Sequence, residues 1–209
     1  MRILHAFLVC AFLVALSGCS TFNKFDIRKA QVSVPAGASS VAVAGVDERE
    51  YLKRGEITPD YLGMTRDGVG FPYKVKTATK RPLALEVAEV VTAGFRKAGR
   101  QTVPASAQPS NSAALAALKA TKANRLVVVR IQKWESDTLI NTSLYYAITV
   151  EVYDPAGKLL ASASEAKEQA LGGNYFVAAM HANKAILAEL GNIMTRLVSS
   201  PDVVAALRG

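Results

Sequence analysis

The chain opens with Arg2 and an apolar run from Ile3 to Leu16, closed by Leu16-Ser17-Gly18-Cys19. A basic start, a short apolar stretch and small residues before a cut are the three parts of a secretory signal, so residues 1–18 are expected to be removed. The run falls short of the roughly 20 residues that a helix needs to cross a bilayer, and no later stretch is uniformly apolar. Cysteine usage tightens the constraint. Of the two cysteines, Cys10 lies inside the removed segment and Cys19 at the cut. The mature chain can therefore form no internal disulfide and must be stabilised by packing. Cutting 18 residues from 209 leaves 191, enough for one domain with a sizeable core.

Leu16-Ser17-Gly18-Cys19 closely resembles the lipobox of bacterial lipoproteins. The resemblance implies cleavage between Gly18 and Cys19, a diacylglyceryl group on the Cys19 thiol and a further acyl chain, such as palmitate, on its freed amine. At about 0.8 kcal/mol per buried methylene, two or more chains anchor stably where one would not. Ser20, where aspartate would signal retention at the inner membrane, implies the periplasmic face of the outer membrane. The membrane is thus the first expected partner, reached through the lipid. Lys and Arg number 25 against 17 Asp and Glu, a formal +8 that falls to +7 when Arg2 leaves. Such an excess points either to an acidic partner or to an inert basic surface. In an envelope setting the acidic partners are lipid headgroups, lipopolysaccharide phosphates or cell-wall carboxylates, not nucleic acid.

Residues 19–38 read as the lipidated cysteine and a tether, because they lack sustained periodicity and end in Pro35 and Gly37. Lys24, Arg28 and Lys29 would lie near the headgroups. A single domain is expected over 39–201, with 202–209 as a C-terminal tail. Its first strand is Ser40 to Val46. Residues 50–81 carry Gly55, Gly63, Gly68, Gly70, Pro59 and Pro72 and break every helical pattern, so they read as a long basic loop. Phe71 and Tyr73 are its candidate stacking residues. Arg66, Lys74, Lys76, Lys80 and Arg81 are candidate anion-binding residues, the last four placed just before the positive N-terminus of the next helix. The alternative is that the aromatics merely pin the loop to the sheet. Gly68-Val69-Gly70-Phe71-Pro72 is no phosphate cradle, because no Lys-Ser/Thr pair follows and Pro72 lacks a backbone donor.

Pro82 starts a helix over 82–98 and Gly99 caps it. Leu83, Val87, Val90, Val91 and Gly94 share its apolar face, with Glu89, Thr92 and Arg96 opposite. A shorter helix is expected over 113–122. Arg125 to Lys133 reads as a central strand, apolar on both faces at its start. Thr142 to Tyr153 alternates cleanly, Asp154-Pro155-Ala156-Gly157 is turn chemistry, and Lys158 to Ala166 returns as a third strand of an antiparallel meander. The last helix spans 174–199. Phe176, Met180, Leu187, Leu190, Met194 and Val198 form its core face, whereas His181, Glu189, Asn192 and Arg196 face water. The fold class is therefore α+β, an antiparallel sheet of about four strands with helices 82–98 and 174–199 on one face.

Catalytic chemistry finds little material. With His181 as the single histidine after the cut and no free thiol, there is no Cys-His pair, no multi-histidine metal set and no Gly-x-Ser-x-Gly elbow. Acidic pairs such as Glu135 with Asp137, beside Trp134, are the only acid-base candidates, and a solvated turn at a strand end is the simpler reading of them. No enzyme, cofactor or metal is expected.

The lipobox, the Val-Ala-Val-Ala-Gly-Val-Asp-Glu-Arg strand, the helix ending at Gly99, Arg-Leu-Val-Val-Val-Arg-Ile-Gln-Lys, Tyr-Tyr-Ala-Ile-Thr-Val and the closing helix resemble, in that order, the YajG-type envelope lipoproteins. Lipoprotein activators of cell-wall synthases and secretion-channel lipoproteins share this α+β style. The resemblance implies fold and place rather than activity, and segment 50–81 has no counterpart in it. Two functions stay open: an adaptor for envelope proteins, or a binder of an acidic lipid or glycan through 50–81. An uncovered sheet edge would also admit a second copy of the chain.

Overall fold

The structure, a computed structural model, describes residues 23–208. The chain enters through β1 (Lys24–Phe25) and a 3-10 turn at Ile27–Lys29. Next come β2 (Val41–Asp47), the one-turn helix α1 (Glu50–Lys53), the hairpin β3 (Tyr61–Arg66) and β4 (Pro72–Thr77), and helix α2 (Leu83–Lys97). A short strand β5 (Ser106–Gln108) and helix α3 (Asn111–Lys119) lead into β6 (Arg125–Thr138), β7 (Asn141–Tyr153) and β8 (Leu159–Gly173). Helices α4 (Ala178–Val198) and α5 (Pro201–Arg208) close the chain.

The meander β6-β7-β8 forms as the alternation predicts. Leu144, Tyr146, Ile148, Val150 and Val152 are all buried, and the Asp154 carboxylate accepts the Lys158 N–H at 2.9 Å to close the second turn. The four-strand antiparallel sheet is an underestimate, however. Among the described residues one mixed sheet holds eight strands. β6 is its hub: β7 runs antiparallel along one side, while β2 pairs parallel with residues 125–131 and β3 parallel with 136–138 along the other. Parallel neighbours are joined by long crossovers, not by local turns, so no short-range signal reveals them.

Helices α2, α4 and α5 share one apolar core with β6 and β7. The opposite face carries a smaller core of Ala42, Ala44, Val46, Leu126 and Val128 under Ala114 and Leu118 of α3. Expected helix 82–98 appears as Leu83–Lys97, but Thr92 is buried, not solvated, its hydroxyl donating to the Ala88 carbonyl.

Segment 50–81 is not a structureless loop. It forms α1 and the β3-β4 hairpin, and β3 is held to the end of β2 by Arg49, which is fully buried. Its guanidinium donates to both Asp47 carboxylate oxygens at 2.7 and 2.8 Å and to the Tyr61 carbonyl at 2.7 Å. The hairpin escapes a reading by pattern because Gly63 interrupts β3 and cations alternate with Val75 and Thr77 on β4.

Part of the described tether is also core. Phe25, Ile27, Ala30 and Val32 are buried, and β1 lies parallel to β4 with Lys24 opposite Lys76. Residues 31–33 then thread between α2 and α4. A methyl group at Gly191 would stand 2.4 Å from the Gln31 carbonyl oxygen, and one at Gly94 would stand 2.9 Å from that of Val32. Both positions exclude a side chain for this reason, and the Ser33 N–H completes the dock by donating to the Thr195 hydroxyl at 3.0 Å.

Residues 202–209 were expected to trail; instead Pro201–Arg208 is helical with Val203 and Leu207 buried. Arg125 donates to the Ala206 carbonyl at 2.6 Å and Arg100 to that of Leu207 at 3.0 Å. Two cations thus satisfy carbonyls that the last turn of a helix leaves bare.

Candidate functional site at one end of the sheet

The five candidate anion-binding cations do not share one condition. Arg66 is bidentate to Asp137 at 2.7 and 3.0 Å. Lys76 meets Asp60 at 3.3 Å, and Arg81 grips both Glu89 oxygens at 2.5 and 3.0 Å. Lys74 and Lys80 are exposed and have no carboxylate partner among the described residues. The first turn of α2, expected to offer its dipole to an anion, carries Glu86, fully buried and hydrogen-bonded by the Thr79 hydroxyl. Burial holds the Glu86 carboxyl above its ordinary range.

What the fold does assemble is apolar. β3 and β6 run parallel and end level, Thr65 opposite Thr138. Their exits, the 67–71 turn and Leu139-Ile140, therefore lie side by side. β7 begins there too, with Asn141 opposite Gly173, the last residue of β8, so segment 174–177 joins the same end. At this end Val69 is 79% exposed, Phe71 66%, Tyr175 75% and Phe176 92%. Tyr73, Leu139, Ile140, Val177 and Met180 are exposed with them, and of the large apolar side chains exposed among the described residues only Leu159 and Leu160 lie elsewhere.

Phe176 and Met180 were expected in the core face of the last helix. The helix in fact starts at Ala178, because the Asn174 side chain accepts the Phe176 and Val177 N–H groups at 3.0 and 3.2 Å and turns the chain first. Below that point the expected face holds: Leu190, Met194 and Val198 are buried. Glu189 reverses its expected place. It is 7% exposed, and its carboxylate takes the Arg196 guanidinium at 3.1 Å. Arg196 also chelates Glu165 at 2.8 and 3.0 Å, which holds that carboxyl below its ordinary value. Tyr146 donates to Glu165 at 2.5 Å, and its hydroxyl is pushed up to about 12, first by burial and then by this carboxylate.

His181, expected on the wet face, is half-buried. The acid-base candidates are engaged: Asp137 by Arg66, and Glu135 by the Tyr61 hydroxyl at 3.3 Å. Trp134 is fully buried and not part of any open site, its backbone clamped by Tyr51, whose hydroxyl donates to its carbonyl at 2.6 Å. Among the described residues no three His, Cys, Asp or Glu side chains group to hold a metal, and no helix is long and apolar enough to cross a membrane. A shallow groove of about 430 Å³ lies beside the docked segment, lined by Lys29, Gln31, Lys184, Leu187 and Asn192 among others. Arg2, Gly18, Cys19 and the signal segment lie outside the described residues.

This architecture is that of known bacterial proteins. It is similar to protein XCC0632 of the DUF330 family from Xanthomonas campestris, at 12% identity and a TM-score of 0.54, covering 86% of this chain and 92% of that one. Weaker likenesses are the PelC dodecamer from Paraburkholderia phytofirmans, at 13% identity and a TM-score of 0.45 over 80% of this chain and 93% of that one, and lipoprotein GNA1162 from Neisseria meningitidis, at 8% identity and a TM-score of 0.33 over 74% and 99%. No protein-family model and no curated protein matches the sequence. The likeness to XCC0632 shows the fold alone; a YajG-type assignment is not among these findings.

Proposed function

We propose that this chain is a lipoprotein anchored through Cys19 to the periplasmic face of the outer membrane, acting there as a non-catalytic interaction module. The observation that supports this best is the docking of the segment just after the lipobox. Lys24 in β1 is only five positions beyond Cys19, a reach of at most about 18 Å at roughly 3.3–3.6 Å per residue. An anchor there is coupled to the sheet itself rather than to a floppy leash. The engagement of Glu135 and Asp137 in structural contacts supports a binding role over an acid-base one. Cys19→Ala tests the anchor: labelling by a palmitate analogue should vanish and a precursor carrying residues 1–18 should accumulate. Labelling that survives the substitution would place the anchor elsewhere.

The second reading, recognition of an acidic lipid or glycan, keeps support from Lys74 and Lys80. Replacing both by Ser should abolish any salt-sensitive binding to lipopolysaccharide or anionic vesicles, because exposed charges act over only about 8–10 Å at physiological salt.

A further inference from the structure

Deepening that reading and resting on it, we propose that the apolar end of the sheet is a membrane-contact surface, whose turns seat in the interface of the bilayer holding the anchor. Its members are Val69 and Phe71 on the β3-β4 tip, Leu139 and Ile140 between β6 and β7, and Tyr175 and Phe176 between β8 and α4. Three turns from segments far apart in sequence present their apolar side chains at one place, while the opposite end offers Leu159 and Leu160 beside the polar Asp154-Lys158 turn. Exposed apolar clusters of this kind mark surfaces that meet something other than water.

The path of the chain selects a bilayer as that partner. β1 is parallel to β4, and β4 begins at Pro72 on the apolar end. The chain therefore arrives at Lys24 from that end. Lys24 is level with Lys76, only a few residues down β4 from Phe71, and Cys19 precedes Lys24 by five. The anchor's reach thus covers the distance from β1 to the tips, and a membrane on that side follows from the attachment, whereas a protein partner there does not.

The tips suit an interface chemically. The Asp67 carboxylate accepts the Val69 and Phe71 N–H groups at 3.0 and 2.9 Å, and Asn174 does the same for Phe176 and Val177. These internal bonds reduce the cost of taking turn backbone out of bulk water. Tyr73 and Tyr175 are amphipathic rings of the type enriched at headgroup depth. Arg66 and Asp137 neutralise each other beneath the tips, so neither enters as a lone charge. Together these features orient the meander with its Asp154-Lys158 end away from the membrane.

The test uses the full lipidated protein, carrying Phe71→Trp, Phe176→Trp or Leu159→Trp singly, in vesicles whose acyl chains are brominated. Buried Trp134 supplies the same background in each. Emission from the first two should be quenched and blue-shifted, and that from Leu159→Trp should match its value in unbrominated vesicles. Equal quenching at all three positions, or none at the tips, would overturn the proposal. So would photo-crosslinks from position 71 or 176 to a protein or to a second copy in place of lipid. Palmitate labelling of the same samples reports the anchor independently, so a missing anchor and a misplaced orientation give different results.

Discussion

Two short segments of this protein exchange the places that their composition suggests. Residues 24–34, strewn with Lys24, Asp26, Arg28 and Lys29, bury Phe25, Ile27, Ala30 and Val32. Residues 174–180, with Phe176 and Met180 in helical phase with the core, leave both in solvent together with Tyr175 and Val177. The first has partners waiting: the open edge of β4 and the groove lined by Gly94 and Gly191. The second runs past the end of the sheet, where none of the described residues covers it. Burial is decided by what lies opposite, and hydropathy only states how much is gained when something does.

The sharpest way to break this contrast is to truncate one aromatic in each segment. Phe25→Ala should destabilise by about 3–5 kcal/mol, a core cavity effect that rivals the net stability of many domains. A loss below about 1 kcal/mol in denaturant melts would return the segment to the status of a tether.

Smaller is the effect of closing the groove. Gly191→Ala should cost about 1–3 kcal/mol, since the added methyl meets the Gln31 backbone in packed surroundings. Hydrogen exchange should show the Ser33 amide, bonded to Thr195, losing protection before the meander does.

The polar cluster beneath the helices sharpens the comparison through pH. Glu165 ionises more readily in the folded state than its ordinary 4.5, chiefly through Arg196. Its contribution is fully present above that value and is lost as pH falls through the lowered folded one. Tyr146 works in the opposite sense. Raised from 10.0 to about 12, it contributes stability below pH 10 that disappears as pH climbs towards 12. Stability curves of Glu165→Gln and Tyr146→Phe should each flatten on the matching side, and an unchanged acid limb in Glu165→Gln would remove the pair from the account.

Least of all should change in Phe176→Ser, whose effect on folding should stay within about 0.5 kcal/mol because the ring is 92% exposed. A cost like that of Phe25→Ala would mean that the ring packs within the chain after all.

Legibility in the sequence followed the range of the interactions. The meander was readable because its period-2 alternation and its Asp154-Gly157 turn are local, and helix α2 because Pro82 and Gly99 punctuate it. Glu189 and Thr92 were misplaced because a helical wheel assigns faces without knowing how many neighbours a helix has. Glu189 sits under Arg196 and Thr92 folds back on Ala88. The candidate cations were found as a run, but Arg66, Lys76 and Arg81 meet Asp137, Asp60 and Glu89, and ion pairs between separate strands and helices leave no spacing to read.

By itself, then, the sequence determined an α+β domain built on a β6-β7-β8 meander, without a cysteine of its own and preceded by a tetrapeptide that resembles a lipobox, because alternation, capping residues and cysteine positions are written within a few residues of one another. Only the tertiary structure decided that β6 is shared by β2 and β3, that Phe25, Ile27, Ala30 and Val32 are core, and that three distant turns pool their apolar side chains at one end of the sheet. These are facts of parallel pairing and of strand ends brought level. Such pairing joins segments as far apart as Val41 and Arg125 by backbone hydrogen bonds that any side chain permits, so nothing in the order of residues announces it.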